Sequence, residues 1–302
     1  MISRRIIVII EFLKVLLFGI VEGITEWLPV SSTGHLILLD EFLRLDVASS
    51  LGREFAEEFM EMFEVVIQLG AIFAVIVVFF GKLYPFSKGK STEEKRATWS
   101  LWAKVAVASI PAAFAGLVID SILENKTGKD IDGWLYNAYV VAAALIIYGV
   151  LFIVVERVNK KRSVELVELS DISYKKALAI GVFQMLAIIP GTSRSGSTIL
   201  GAMCLGLSRS VAAEFSFFMA IPAMLGASGI KLLGFFKYLF EASVAVPAYV
   251  WLAVMFGMAV SFAVSMATIK FLMDFVKKHG FSSFGVYRII LGAVVLLYFL
   301  VR

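Results

Sequence analysis

Six uninterrupted apolar runs, each about the length needed to cross a bilayer, constrain this chain more than any other feature. They cover 62–81, 101–119, 134–155, 212–232, 248–273 and 286–301. Hydrophobic residues make up 60% of the 302 positions and the mean hydropathy is +0.90, which excludes ordinary soluble domains. Two further apolar regions, 6–39 and 177–207, are each interrupted by a polar stretch. Irregular backbone at membrane depth is tolerated only where protein or a watery cavity satisfies its polar groups. Both regions are therefore predicted to be re-entrant helix-loop-helix hairpins. The expected fold is an all-α polytopic membrane protein with six transmembrane helices plus those two hairpins, forming one integral membrane domain. The apolar run after Arg4 and Arg5 has no small-residue cleavage site ahead of the first polar stretch and reads as part of the mature chain.

Charge sets orientation rather than partner. The formal net charge is only +4, and the basic residues sit in interhelical loops, so a nucleic-acid partner is not expected. The loop at 40–61 holds Arg44 and Arg53 among seven acids, whereas 82–104 carries Lys82, Lys88, Lys90, Lys95, Arg96 and Lys104. Lys126 and Lys129 are the bases of the next loop, and Arg157, Lys160, Lys161, Arg162, Lys175 and Lys176 those of the fourth. The positive-inside rule puts the second and fourth loops in the cytoplasm; Arg4 and Arg5 run against that assignment. The single Cys204 offers no disulfide or metal cluster and reads as a small buried hydrophobe.

Sliding the chain by 162 positions lays Gly19 and Glu22 over Gly181 and Gln184, Ser31 over Ser193, Gly34 over Gly196, and Ile37-Leu38 over Ile199-Leu200. The halves, 1–160 and 161–302, then each read as one broken hairpin followed by three spans. An odd number of crossings inverts the second half, and inverted repeats hold their sites near the midplane. Gly116, Gly149, Gly226 and Gly257 permit close helix contacts, within one chain or between two copies of a homodimer.

The interruptions carry the chemistry. The first, Glu22-Gly-Ile-Thr-Glu26-Trp-Leu-Pro-Val-Ser-Ser-Thr-Gly-His35, concentrates ionisable groups where they are costly and by default functional. Glu22 and Glu26 share a helix face and either share a proton or bind a divalent cation, Mg²⁺ or Ca²⁺. Ser31, Ser32 and Thr33 precede an apolar helix, whose free amides attract anions. They either cap that helix or include a nucleophile, for which His35 is a candidate base; His35 can equally be a satisfied core residue. The second island, Pro190-Gly-Thr-Ser-Arg-Ser-Gly-Ser-Thr198, adds a guanidinium whose planar fork matches phosphate oxygens. Arg194 either binds phosphate with that fork or simply pairs with Glu22 or Glu26. Ser193, Arg194, Ser195 and Thr198 join Ser31 and Thr33 as the expected phosphate-binding set. The Ser-Arg pair and Gly34-His35 superficially suggest PAP2 phosphatases, but Leu200 stands where that family needs a histidine.

These two motifs together resemble the undecaprenyl-pyrophosphate phosphatases of the bacitracin-resistance type. The resemblance runs over essentially the whole chain and places that family's glutamate pair on Glu22 and Glu26, its serine on Ser32, its histidine on His35 and its arginine on Arg194. It implies a multi-pass enzyme of the bacterial cytoplasmic membrane, with a divalent-cation requirement and a site open to the outer face. Such an enzyme removes the terminal phosphate of a polyprenyl diphosphate, recycling the lipid carrier for peptidoglycan and other wall polymers and conferring bacitracin resistance. The expected catalytic set is Ser32 as nucleophile, His35 as base, Glu26 and Arg194, with attack by His35 or by water left open. The rival reading is a transporter, a flippase for the polyprenyl phosphate that uses the same midplane residues without cleavage.

Overall fold

In the computed structural model, residues 2–45, 47, 51–128, 135, 137–160 and 167–301 are described; Lys129, Lys161 and Arg162 of the loop-charge argument lie outside them. The described residues form helices and contain no strand. In chain order these are α1 (Ile2–Thr25), α2 (Ser32–Phe42), α3 (Arg53–Val78), α4 (Phe80–Leu83), α5 (Thr92–Phe114), α6 (Asp120–Thr127), α7 (Ala138–Asn159), α8 (Tyr174–Met185), α9 (Arg194–Cys204), α10 (Arg209–Glu241), α11 (Ala248–His279) and α12 (Ser282–Val301).

Among the described residues six helices are long and apolar enough to cross a membrane: Arg53–Val78, Thr92–Val118, Ala138–Asn159, Arg209–Glu241, Ala248–His279 and Ser282–Val301. Three of them contain the expected run whole (212–232, 248–273 and 286–301), the other three overlap theirs with one end shifted by a few residues, and several are longer than the apolar stretch. The reason is that charged residues good at forming helix extend the ends; α3 opens with the acidic turns around Glu54, Glu57 and Glu58 before its apolar body. Within the fifth helix Pro111 removes a backbone donor, and Ala115–Ile119 widens to a π-helix before α6, a helix that stands where the sequence suggested only a loop.

Both islands break a helix in the same way. After α1 the chain turns through Pro29, and Ser31 takes φ 76° and caps α2 by accepting from the Gly34 amide at 3.2 Å. After α8 it passes through a short 3₁₀ turn, Pro190 and Gly191, and Ser193 takes φ 70° and caps α9 by accepting from the Gly196 amide at 3.1 Å. A positive φ on a non-glycine residue costs about 1–3 kcal/mol and persists only where surrounding contacts impose it. Here the cap hydrogen bond and the turn before it do so.

Close packing places these breaks. The α1 helix lies along α11, where a Cβ at Gly19 would fall 2.9 Å from the Gly257 carbonyl oxygen, and α8 lies along α5, where Gly181 abuts the Ala108 carbonyl. Helices α7 and α12 cross with Gly149 and Gly285 each against the other's carbonyl. Small residues allow such backbone approach in lipid, where packing rather than hydrophobicity drives association. Gly149 and Gly257 are thus used within the chain, whereas nothing lies within 4 Å of a Cβ at Gly116 or Gly226. Cys204 is exposed rather than buried, because α9 ends at it, past the stretch Ser195–Met203 that its neighbours cover.

Candidate active site

The two islands meet. Arg194, the first residue of α9, donates from Nη2 to Oε1 of Glu26 at 2.9 Å and from Nη1 to the Ser216 carbonyl of α10 at 3.1 Å. Its guanidinium also lies over the Trp27 ring, 5.9 Å from the centroid, and Trp27 stands edge-on against Phe217. The Ser195 hydroxyl donates to the Glu26 main-chain oxygen at 3.0 Å. One residue of the first break is therefore held by two of the second.

The other oxygen of Glu26 accepts from the Ser32 hydroxyl at 2.8 Å, so Ser32, Glu26 and Arg194 form one hydrogen-bonded chain. All three are largely buried, and charge-assisted bonds of this kind are strengthened in a low dielectric. Glu22, one turn before Glu26, is fully buried and neither carboxylate oxygen has a hydrogen-bond partner. The Trp27 Nε1, Thr192 Oγ1 and Arg194 Nε donors are also buried and unpartnered. Buried polar groups are normally satisfied, so this unused capacity on residues of the two islands fits a polar ligand.

His35 faces elsewhere. Its Nδ1 lies 2.7 Å from the Ser31 carbonyl and its Nε2 2.6 Å from the Tyr287 hydroxyl. A carbonyl only accepts, so Nδ1 carries the hydrogen and, in the neutral ring, Nε2 accepts from Tyr287. The two rings are parallel with centroids 5.7 Å apart. The geometry thus gives Ser32 a carboxylate as proton acceptor, not the imidazole expected from the sequence.

The remaining hydroxyls divide by role. Those of Ser31 and Ser193 serve as helix caps, with the Ser195 hydroxyl 3.1 Å from that of Ser193. Thr33 is half-buried beside them at the start of α2. Thr198 is fully buried, bonded to the Arg194 and Ser195 carbonyls and 2.5 Å from the Ser216 hydroxyl. It is placed to brace the Arg194 turn rather than to reach a ligand.

Tyr287 and Arg288, on α12, are part of this constellation and escape sequence reasoning. Arg288 is fully buried and donates to carbonyls of both islands: Pro29 at 3.1 Å, Gly191 at 2.8 Å and Thr192 at 2.9 Å. In the sequence it lies near the end of an apolar run, where an arginine commonly snorkels to the interface, so its depth gives no warning. The available signal is that it is the single charge within 286–301.

The sequence matches the family described as bacitracin resistance protein BacA over residues 15–294. This chain belongs to the BacA family. Among BacA relatives, an undecaprenyl-diphosphatase of Enterococcus faecalis is 54% identical over 290 residues, spanning 95% of this chain and 97% of its own length. Undecaprenyl-diphosphatase 1 of Clostridioides difficile (strain 630) is 50% identical over 291 residues, 96% of this chain and 97% of its own. An undecaprenyl-diphosphatase of Acetivibrio thermocellus is 49% identical over 291 residues, 96% and 98% respectively. Similarity at this level over nearly full length covers both islands and α12 alike.

Proposed function

We propose that this protein is a membrane phosphatase that hydrolyses undecaprenyl diphosphate to the monophosphate and phosphate, recycling the lipid carrier for wall polymers. The names borne by its BacA relatives support the substrate, and the Ser32–Glu26–Arg194 chain supports the chemistry. Phosphoryl transfer needs mainly positioning and charge stabilisation, which such a chain supplies.

In this reading the Ser32 oxygen attacks the terminal phosphorus and its proton passes to Oε2 of Glu26. The bond to the bridging oxygen breaks, and undecaprenyl phosphate leaves. Water then cleaves the phosphoserine, releasing phosphate and restoring Ser32. Arg194, freed from Glu26 as that carboxyl is protonated, balances charge on the transferring group together with the amides at the starts of α2 and α9. Ser31, Thr33, Ser193 and Ser195 line that anion site, with Thr198 behind it. His35, oriented by Ser31 and Tyr287, suits the second step, where an imidazole can take a proton from water. Attack by His35 itself is the alternative that phosphoenzyme trapping discriminates.

A divalent cation, Mg²⁺ or Ca²⁺, belongs to the proposal. Among the described residues no three acidic, histidine or cysteine side chains converge on a metal site. The two unpartnered oxygens of Glu22, a turn from Glu26, nevertheless fit an ion that takes one or two carboxylates and completes its shell with water and substrate oxygens. When bound there, the cation supplies positive charge next to the diphosphate.

We also read the two broken helices as re-entrant hairpins of an inverted repeat. The matching caps at Ser31 and Ser193 support it, as do the pairings of α1 with α11 and of α8 with α5. In this reading the protein lies in the bacterial cytoplasmic membrane with the site open outward, and the free flanks of Gly116 and Gly226 leave room for a homodimer. A pure flippase is not favoured, since transport gives no use for a serine hydroxyl held on a carboxylate. The test is phosphate release from undecaprenyl diphosphate by purified protein in detergent with Mg²⁺, Ca²⁺ or EDTA. Release abolished by Glu26→Gln supports the reading, and a folded wild type that releases none in any metal overturns it.

A further inference from the structure

Arg288 is a buried cation without a counter-anion among the described residues. Its contacts are the three main-chain carbonyls of Pro29, Gly191 and Thr192 and the face of Tyr148, whose ring centroid lies 5.5 Å away. Among the described residues no carboxylate pairs with it, and Nε has no hydrogen-bond partner. Burying an ion costs several kcal/mol unless its surroundings compensate. Carbonyl oxygens do so in part, but a neutral donor would satisfy a carbonyl without that cost.

Two properties of a guanidinium answer why an arginine stands here. The first is its rigid fork. Nη1 reaches the first island and Nη2 the second, so a planar group of fixed dimensions spans the two turns. Pro29 lies two residues before the strained cap Ser31, and Thr192 directly precedes the strained cap Ser193. No other hydrogen bond to those three carbonyls is present among the described residues. Without Arg288 each would be buried and orphaned, and the turns they belong to would lose their common anchor.

The second property is charge. Arg194 is matched by Glu26, whereas no carboxylate among the described residues pairs with Arg288. It also lies against the start of α9: a Cβ on Gly196 would be 3.2 Å from Nη1. An unscreened positive charge behind a helix N-terminus favours an anion in front of it.

We propose that Arg288 is a positioning residue for the phosphatase reaction: it clamps the two island turns in one register and supplies the uncompensated charge that draws the diphosphate to them. The inference rests on the phosphatase reading. Arg288 touches no substrate, being fully buried, and acts through Ser32, Glu26 and Arg194.

The experiment compares wild type, Arg288→Lys and Arg288→Met as full-length protein in detergent, each with its thermal melting curve. Turnover of undecaprenyl diphosphate is measured, with inorganic pyrophosphate as the competing anion. Lysine keeps the charge and loses the fork, so kcat falls about 100-fold, as for a misplacement of roughly 1 Å, with KM and pyrophosphate inhibition within about threefold. Methionine loses both, so kcat falls as far and pyrophosphate inhibition weakens about tenfold, as removing a nearby unit charge from a low-dielectric site would give. A merely structural residue would lower the folded fraction while leaving kcat per folded molecule, KM and inhibition unchanged. If neither variant folds, Gly196→Ala presses on Nη1 with the arginine in place, and kcat should fall several-fold at a nearly constant KM. Folded Arg288→Lys, or Gly196→Ala in its stead, with wild-type kcat overturns the clamp. Equal pyrophosphate inhibition of the lysine and methionine variants overturns the charge role. A wild type without phosphate release overturns the phosphatase reading and this inference with it, whereas an active wild type with unaffected variants overturns the inference alone.

Discussion

The Ser32 hydroxyl donates to Oε2 of Glu26 at 2.8 Å, while Oε1 of the same carboxylate is held by Arg194 at 2.9 Å. A nucleophile, its proton acceptor and a phosphate-matching cation are thereby assembled on one side chain, with the cation coming from 168 residues away in the chain.

Replacing Ser32 by Ala should reduce phosphate release by about 10³-fold or more, as loss of a nucleophile does elsewhere, with little change in melting temperature. Acid-stable phosphoserine should be trapped during turnover by wild type and not by the variant. Acid-labile phosphohistidine on His35 would reassign the nucleophile.

Arg194→Ala should cost about 10³-fold in kcat, in line with the contribution of a charge-balancing arginine in phosphoryl transfer. Arg194→Lys should recover only part of it, because an ammonium cannot bond Glu26 and the Ser216 carbonyl with one planar group. Steady-state kinetics on both variants distinguish these outcomes.

Glu22→Gln is expected to behave oddly for a buried site residue. The carboxylate has no hydrogen-bond partner, so removing its charge should leave the melting temperature unchanged or raise it in metal-free detergent. Cation affinity should fall at least tenfold, read as loss of the melting-temperature increase on adding Mg²⁺ or Ca²⁺. A variant that keeps the full cation-dependent shift would remove Glu22 from the cation site.

Tyr287→Phe deletes the hydroxyl at Nε2 of His35 and little else. A loss of about 1 kcal/mol in stability at most is expected from one hydrogen bond. If His35 serves the hydrolytic step, phosphoserine should accumulate in this variant under turnover, which acid quenching followed by phosphoserine detection reads directly.

Glu156 offers a control whose partners lie outside both islands. It is buried, pairs with Arg209 and accepts the Phe281 amide at 3.1 Å, tying α7 to the starts of α10 and α12. Glu156→Ala should destabilise by about 3–5 kcal/mol, because it strands a partly buried cation. Turnover per folded molecule should stay near wild type, as measured by activity normalised to the monodisperse fraction.

Much of this was legible in the linear chain. Apolar length is a local property, so the six spans could be read directly, and each of the six long apolar helices overlaps one of them. The islands were legible because Glu22, Glu26 and Arg194 are expensive where they stand, and because Ser31 and Ser193 recur at one offset, to which the structure adds a shared positive φ. What misled was direction. His35 lies three residues from Ser32, near enough to be its base, yet its ring turns to Tyr287 on α12. Helical spacing gives distance along a face and not the partner that wins a side chain.

The sequence by itself determined that this is a membrane protein with two polar breaks carrying carboxylates, hydroxyls and an arginine, since hydropathy and the cost of buried charge act residue by residue. Only the tertiary structure decided that Glu26 rather than Glu22 takes Arg194, that Ser32 gives its proton to a carboxylate, and that Arg288 joins the turns. Those outcomes depend on which groups helix packing brings within about 3 Å, where hydrogen bonds form, and that distance is set by close glycine contacts between residues far apart in the chain, such as Gly19 with Gly257 and Gly149 with Gly285.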